Sequence, residues 1–266
     1  MNNYLPVLFE ENFNLRSCLI FEYLLNFLIK LIAMKSFIIT CLLAGTAFGV
    51  SAQNCNGFYF FTNNAEVVMT VYDKKGAEGG KLTYKINGVN KSGNNATANF
   101  TSEFVDDKGK SLSKGAGKLK CNGGVLYVDA KVSVPQTSMA AYKDMDVKGE
   151  ESFVEYPSSM SVGQNLKDVN FSMEVHNKGS LFSTITLTQE NRKVIGKENI
   201  SSPAGTWECW KISYDAQFKA TMMGIGIPIN MKATEWFAPG FGLVKSESFS
   251  KNGKLLGSTL ITSVNK

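Results

Sequence analysis

The segment TEWFAPGFGLVKSESFSKNGK, residues 234–254, indicates how this chain folds. Pro239-Gly240 ends one apolar run, Phe241 to Phe249 forms the next, and Asn252-Gly253 precedes the last. Asn and Gly readily take the positive φ angles that tight hairpins require, and Pro interrupts a strand. The segment therefore predicts three consecutive antiparallel strands, with most of its aromatic side chains in the core.

Apolar residues alternate with other residues in several further segments. The clearest runs are Val67-Met69-Val71, Leu82-Tyr84-Ile86, Leu126-Val128-Ala130-Val132 and Phe171-Met173-Val175. Because successive side chains of a strand point to opposite faces, this period places each set on one face. The many Thr, Val, Ile, Phe and Tyr residues suit a half-buried sheet surface.

Short polar turns separate such runs, and helical character is rare. The turns are Asp73-Lys74-Lys75-Gly76, Asp107-Lys108-Gly109, Asn177-Lys178-Gly179 and Asn252-Gly253. Only Pro135 to Asp146 looks helical, and the strands are not separated by the helical patterns of about 10–15 residues that an α/β fold needs. We therefore predict a mainly β fold: an antiparallel meander that forms a curved sheet or open barrel with one short helix.

The first 52 residues differ in composition from the remainder. Lys35, an apolar run over residues 37–50 and a small-residue cleavage site form the parts of an export signal. The alternative is an N-terminal membrane anchor built from both apolar runs. We expect residues 1–33 to be a mis-called N-terminal extension, residues 34–52 a signal peptide, and residues 53–266 a single exported β domain whose two halves would meet near residues 135–150.

Three cysteines follow the expected cleavage site: Cys55, Cys121 and Cys209. An odd number permits one internal disulfide and leaves one thiol, and no two of them form a C-x-x-C pair. Cys209 lies in a strand pattern between Trp207 and Trp210, which is typical of a small buried thiol. The favoured disulfide is therefore Cys55 with Cys121.

The residue types argue against several classes of function. Arg192 is the only arginine after residue 16, whereas specific recognition of nucleic acid or phosphate depends on the planar arginine fork. His176 is the only histidine, and no metal-ligand motif accompanies it. We therefore expect no nucleic-acid partner, no metal site, no cofactor and no catalytic residues.

Three carboxylates nevertheless keep one class of enzyme open. Glu155, Glu208 and Glu235 lie near aromatic residues in the sequence. Hydrolysis of a glycosidic bond needs two acids at a fixed separation, and the sequence does not place these acids relative to one another. A carbohydrate hydrolase is accordingly the third hypothesis for the function.

The segment ATMMGIGIPI, residues 220–229, is apolar where a polar hairpin turn is expected. Exposed apolar tips mark contacts with lipid, ligand or protein, and methionine adapts to irregular surfaces. The alternative is a loop that folds back as a lid over the core. The candidate ligand-binding residues are Met222, Met223, Ile225 and Ile227 of this segment, together with Trp210 and Trp236.

Several segments together resemble a known family. They are residues 235–247 (EWFAPGFGLVKSE), 252–255 (NGKL), 202–209 (SPAGTWEC), Tyr156-Pro157, Val162-Gly163-Gln164, the early Cys55 and Cys121-Asn122-Gly123-Gly124. This set is similar to the TapB-like exported proteins of Bacteroides-type bacteria, a domain-of-unknown-function family. The resemblance covers most of residues 55–263 and implies export and a β fold, without any catalytic residues. At fold level the chain is also similar to lipoprotein carriers of the LolA type, in which a curved sheet holds an acyl chain.

The leading hypothesis is an exported cell-envelope protein without catalytic activity that binds an apolar ligand or lipid on the concave face of its sheet. The alternative is a structural or protein-interaction module of the envelope, which would use the Met-rich hairpin as its contact. The expected partners are a lipid or apolar small molecule, or an envelope protein. The mature chain would reside in the periplasm, at the outer membrane or outside the cell, without spanning a membrane.

Overall fold

The structure is a computed structural model that describes residues 55–265. The expected N-terminal extension and signal peptide, residues 1–52, lie outside the described residues. None of the helices in the described part of the chain has the length and hydropathy of a membrane-spanning helix.

Thirteen strands account for most of the described residues. They are β1 (Glu66–Asp73), β2 (Glu78–Ser92), β3 (Asn95–Asp106), β4 (Ser111–Asn122), β5 (Val125–Asp129), β6 (Asp146–Gly149), β7 (Phe153–Tyr156), β8 (Val169–Asn177), β9 (Ser180–Ser202), β10 (Gly205–Met222), β11 (Ile225–Ala238), β12 (Gly242–Ser250) and β13 (Leu255–Asn265). The remaining regular elements of residues 55–265 are one short α-helix, α1 (Gln136–Met139), and 3₁₀ turns at Cys55–Gly57, Tyr59–Phe61, Ala130–Ser133 and Ala140–Tyr142.

All thirteen strands belong to one antiparallel sheet in the order β6-β8-β9-β10-β11-β12-β13-β1-β2-β3-β4-β5-β7. From β1 to β5 and from β8 to β13, strands that follow one another in the chain are neighbours in the sheet, as in a meander, and β13 pairs with β1. At the two edges the order changes, because β7 pairs with β5 and β6 pairs with β8. The edge strands β6 and β7 are close together in sequence, and the sheet curls into a half-barrel. The predicted mainly β fold with a curved antiparallel sheet is confirmed.

Two local predictions need correction around the chain midpoint. The segment predicted as helical, Pro135 to Asp146, is α-helical only over Gln136–Met139, and Asp146 already begins β6. The run Leu126-Val128-Ala130-Val132 leaves the strand at Asp129. The Asp129 carboxylate accepts a hydrogen bond from the backbone N–H of Lys131, 3.0 Å away, and so caps a 3₁₀ turn where the alternation predicted more strand.

The buried apolar side chains form two clusters. The main cluster lies on one face of the sheet, which we call the concave face, and includes Phe61, Ile86, Leu126, Val154, Ile185 and Ile212. The second cluster contains Val67, Cys209, Trp236, Phe241, Val244 and Ile261. Most aromatic side chains of residues 234–254 are thus buried, as predicted, with Trp236, Phe237 and Phe241 less than 9% exposed.

A disulfide bond joins Cys55, in the first 3₁₀ turn, to Cys121 of β4. Both sulfurs belong to the main cluster, and their Cα atoms lie 5.7 Å apart. Cys209 is a free, fully buried thiol. Burial raises the pKa of this thiol to about 12, with smaller contributions from Glu198 and Glu208. A thiol that stays protonated at physiological pH is a poor nucleophile.

Candidate functional site

The concave face of the half-barrel contains a cavity of about 530 Å³. Side chains from both halves of the chain line it, and most of them are aliphatic or aromatic, among them Leu82, Phe104, Leu119, Val154, Leu187 and Met231. Cavities of this size with apolar walls and few polar groups are typical of small-molecule binding sites. The cavity is therefore the candidate functional site.

A buried carboxylate with two tyrosines forms the main polar feature of the cavity wall. Glu235 accepts hydrogen bonds from the hydroxyls of Tyr156, at 2.9 Å, and Tyr214, at 2.7 Å. All three residues line the cavity, and Glu235 is only 4% exposed. Glu235 thus provides the acceptor for both buried hydroxyls, which would otherwise lack a hydrogen-bond partner at considerable cost.

The sheet explains how these three residues meet. Glu235 faces the cavity from β11. On the adjacent strand β10, Tyr214 pairs with Ala233, which lies two residues before Glu235 on the same face of β11. Tyr156 comes from the edge strand β7, 79 residues away in the chain, and reaches across the interior of the half-barrel. Its ring stacks on Phe237 at a centroid distance of 4.4 Å, which holds the hydroxyl in place.

Burial raises the pKa of both Tyr156 and Tyr214 well above the usual value of a tyrosine, and the negative charge of Glu235 raises each pKa further. The Arg192 guanidinium opposes this effect at Tyr156. The two hydroxyls therefore remain protonated donors throughout the physiological range.

Folding stability should consequently fall as the pH rises above about 10. The unfolded tyrosines ionise near that value, whereas the folded protein holds the protons, so the stabilisation is complete below it and is lost above it. Urea unfolding at increasing pH measures this slope. The Tyr156→Phe/Tyr214→Phe double variant should show a shallower alkaline slope than wild type. An ultraviolet titration in which all tyrosines of the native protein ionise together near pH 10 would contradict the prediction.

Gln189 and Arg192 add a second polar feature on β9. Both side chains are 1% exposed, and Gln189 lines the cavity. The Oε1 atom of Gln189 and the Nε and Nη2 atoms of Arg192 have no hydrogen-bond partner among the described residues. Nη1 of Arg192 donates to the carbonyl of Lys167 at 2.7 Å, so the guanidinium is anchored on one side.

A β-bulge places both residues on the concave face. Gln189 and Arg192 are three apart in sequence, so a regular strand would direct them to opposite faces. Asn191 has a φ of +57°, and the pairing between β9 and β10 shifts register between Ser213 and Asp215. The extra residue of the bulge returns the chain to the original face. This polar site cannot be predicted from the sequence, because the alternation of apolar and polar residues gives no sign of the bulge.

The predicted hairpin residues lie at the far end of the same face. Met222 and Ile225 pair directly across the hairpin between β10 and β11, and the turn residues Met223 and Gly224 have the positive φ angles of a tight hairpin. Met223 is 99% exposed, so the segment projects from the sheet and does not fold back as a lid.

The two predicted tryptophans lie away from the hairpin tip and from the cavity lining. Trp236 follows Glu235 on β11 and points to the opposite face, where it is 3% exposed and its indole N–H donates to Glu198. Trp210 is half-buried against the main cluster, with the Lys197 ammonium 4.9 Å from its ring centroid. The structure thus does not bring the six candidate residues into one site.

The three acids that kept a hydrolase open are also separated by the fold. Only Glu235 lines the cavity. Glu155 pairs with Lys167 at 2.5 Å, and Glu208 pairs with Lys197 on the surface. Residues 55–265 contain no cluster of three or more His, Cys, Asp or Glu side chains that could hold a metal ion.

This chain is similar in sequence to one family and in fold to solved structures from two bacteria. The family model described as DUF3108-like matches residues 63–261. A candidate lipoprotein from Parabacteroides distasonis superposes with a TM-score of 0.66 at 22% identity, over 77% of this chain and 96% of its own. A candidate exported protein with a YmcC-like fold from Bacteroides fragilis gives a TM-score of 0.64 at 19% identity, over 77% and 97%. A comparison with curated proteins found no match.

Proposed function

Since this chain belongs to the DUF3108-like family, a domain of unknown function, we propose its function from the geometry of its cavity. The protein is a non-catalytic protein of the cell envelope that holds a lipid or another apolar ligand in its half-barrel. The apolar cavity of about 530 Å³ is the observation that carries this proposal. Burying an apolar chain there gains roughly 25 cal/mol per Å² of surface removed from water.

The polar groups indicate how such a ligand would be oriented. Glu235 with its two tyrosines and the unpartnered Oε1 of Gln189 lie in an otherwise mainly apolar wall. A few polar groups in an apolar pocket orient a ligand and provide its specificity. We therefore expect an amphipathic ligand whose polar end lies toward Gln189 and whose chain fills the apolar part.

The family resemblance and the structural relatives support an envelope location. The two relatives are described as a candidate lipoprotein and a candidate exported protein, and an export signal was expected from the sequence. The resemblance to TapB-like proteins implies export, and the fold-level resemblance to LolA-type carriers, in which a curved sheet holds an acyl chain, motivates the choice of a lipid as ligand. Among the alternatives, an interaction module of the envelope is favoured by the exposed hairpin, whereas the separated acids do not favour a hydrolase.

The proposal is tested on protein purified from its host. Native mass spectrometry should show bound molecules, and solvent extraction followed by lipid analysis should identify them. Binding of anthroyloxy-labelled stearic acid then measures the affinity of the emptied protein. Protein that carries no ligand and also fails to bind this probe would overturn the proposal.

Filling the cavity should weaken ligand binding strongly with little change in stability. Ala233 is 7% exposed and lines the cavity, so phenylalanine in its place would occupy the space that the ligand needs. We expect Ala233→Phe to weaken binding of anthroyloxy stearate at least 10-fold, with a free energy of unfolding within about 1 kcal/mol of wild type, because overpacking is costly only where space is lacking. Thr234→Phe, the next residue on the opposite face of β11, is the matched control and should bind normally.

A further inference from the structure

Two neighbouring hairpin tips expose a group of large apolar side chains, which we call the apolar tip. Its members are Leu181, Phe182, Met222, Met223, Ile225, Ile227 and Ile229, which are exposed by 39% to 99%. They make up most of the exposed large apolar side chains of residues 55–265. Contiguous apolar surface of this kind usually marks an interaction site.

The sheet register brings the two tips together. The ladder between β9 and β10 ends with Thr184 opposite Thr221, so Leu181 and Phe182 continue beside Met222 and Met223. The ladder between β10 and β11 continues to the pair Met222 and Ile225 at the very end of the hairpin. The pairing of β11 with β12 begins only at Met231 and Ser250, so residues 225–230 keep one unpaired backbone edge. The tip therefore suits the interfacial region of a membrane, where water and headgroups satisfy such backbone groups, and not the hydrocarbon core.

The charged residues of the two hairpin ends themselves are all lysines, while Asp146 of the neighbouring strand β6 lies opposite His176 beside the first tip. Residues 177–189 and 216–234, which form the ends of both hairpins, contain no Asp or Glu. They contain Lys178, Lys219 and Lys232. Lys232 pairs with Asp215 at 3.7 Å, whereas Lys178 and Lys219 form no ion pair within the described residues. An apolar tip flanked by lysines complements a membrane surface with anionic headgroups.

The apolar tip is continuous with the cavity. Residues 225, 227, 229, 231 and 233 occupy one face of β11, because the pairing between β10 and β11 has no register shift over this length. They are Ile225, Ile227, Ile229, Met231 and Ala233, and the last two line the cavity. This apolar stripe spans about 27 Å and ends beside Glu235. The opposite face carries Gly226, Pro228, Asn230 and Lys232, so only the concave face is apolar throughout.

From these observations we infer that the apolar tip docks onto the surface of a lipid bilayer, and that the stripe on β11 is the path along which a lipid passes between the bilayer and the cavity. The docking surface is inferred from the apolar tip and its flanking lysines and does not depend on the proposed function. The path rests on the proposed function, since it requires the cavity to hold a lipid. A protein partner is disfavoured because the tip contains no arginine and a single aromatic side chain, Phe182, whereas tryptophan, tyrosine and arginine dominate the binding energy of protein interfaces.

Docking is tested with vesicles of phosphatidylethanolamine and phosphatidylglycerol, using sedimentation of the full chain and hydrogen–deuterium exchange. We expect peptides covering residues 178–184 and 219–231 to gain protection when vesicles are added, whatever other part of the chain contacts the lipid. The Ile225→Thr/Ile227→Thr variant should lose this protection and bind at least 10-fold more weakly. Val162→Thr/Ile195→Thr replaces two other exposed aliphatic residues and should behave as wild type.

Three results would overturn the docking surface. The first is the absence of protection at both tips in wild type, and the second is equal protection in the tip variant and the wild type. Protection that appears only when a second envelope protein is added to the vesicles would assign the tip to a protein partner and also overturn it.

Failure of the docking surface and failure of the proposed function give different results. Binding of soluble anthroyloxy stearate reports the cavity, and we expect the tip variant to retain it. Ala233→Phe should keep vesicle docking while losing the probe. Transfer of labelled lipid from vesicles to the protein requires both, so each variant should reduce it at least 10-fold. Normal transfer by the tip variant would contradict the path.

Discussion

Removing the disulfide bond should lower the free energy of unfolding by about 4 kcal/mol, the largest loss that we expect from a single substitution. Cys55 and Cys121 are 66 residues apart, and closing a loop of that length removes about 4 kcal/mol of chain entropy from the unfolded state. The bond also holds the first 3₁₀ turn against β4, and both cysteines are at most 2% exposed. The expectation for Cys121→Ala is therefore a large decrease, measured by urea unfolding.

Two variants separate the cross-link from the packing of the sulfur atoms. The Cys55→Ala/Cys121→Ala variant should lose little more than Cys121→Ala, because the cross-link is already absent in the single variant. Cys209→Ala removes an equally buried sulfur that forms no disulfide and should cost only about 1 kcal/mol. A Cys121→Ala loss no larger than that of Cys209→Ala would show that the cross-link contributes nothing.

The second large effect is expected at Glu235. Glu235→Ala removes the acceptor of both tyrosine hydroxyls in a site that is 4% exposed. Leaving buried donors without a partner costs about 1–3 kcal/mol each, so we expect a loss of about 3 kcal/mol in the free energy of unfolding. Glu235→Gln keeps one acceptor oxygen and should cost about half as much.

Glu208→Ala is the matched surface control, because Glu208 pairs with Lys197 in an exposed position. Such a pair contributes about 0–1 kcal/mol, so its loss should be small. If Glu235→Ala were no more destabilising than Glu208→Ala, the buried cluster would not contribute to stability. Its polar groups would then matter only for a ligand, which the probe-binding assay measures directly.

Much of the fold follows from local patterns. The alternation in Leu82-Tyr84-Ile86 and Phe171-Met173-Val175 corresponds to β2 and β8, and the Asn177-Lys178-Gly179 turn joins β8 to β9 with Lys178 and Gly179 at positive φ. Period-two alternation and turn residues act over a few neighbouring positions, so they can be read without knowing the rest of the structure. The predicted helix over Pro135 to Asp146 lies in the right place but is too long, because Asp146 pairs with His176 of β8 and so begins strand β6.

The candidate site could be predicted only in part. The apolar segment at residues 220–229 stood out from the sequence, and the structure places it at an exposed hairpin tip. Trp210 and Trp236 did not join it, because tryptophan in a sheet is more often a packing residue than a ligand contact. Glu235 was noticed as an acid near aromatics, but its tyrosine partners were not.

By itself, then, the sequence determined the strand-and-turn content of this protein, the unusual apolar composition of residues 220–229 and the scarcity of arginine and histidine. Whether that segment is an exposed tip or a lid over the core was decided by the structure, in which Met223 is 99% exposed. Only the tertiary structure decided that β13 joins β1, that Tyr156 meets Glu235 across the half-barrel, and that a bulge at Asn191 turns Arg192 inward. The physical reason is the range of the interactions. Periodicity and turn propensity are local, whereas a cavity and a buried polar cluster are formed by residues far apart in the chain, whose meeting depends on the register of every strand between them.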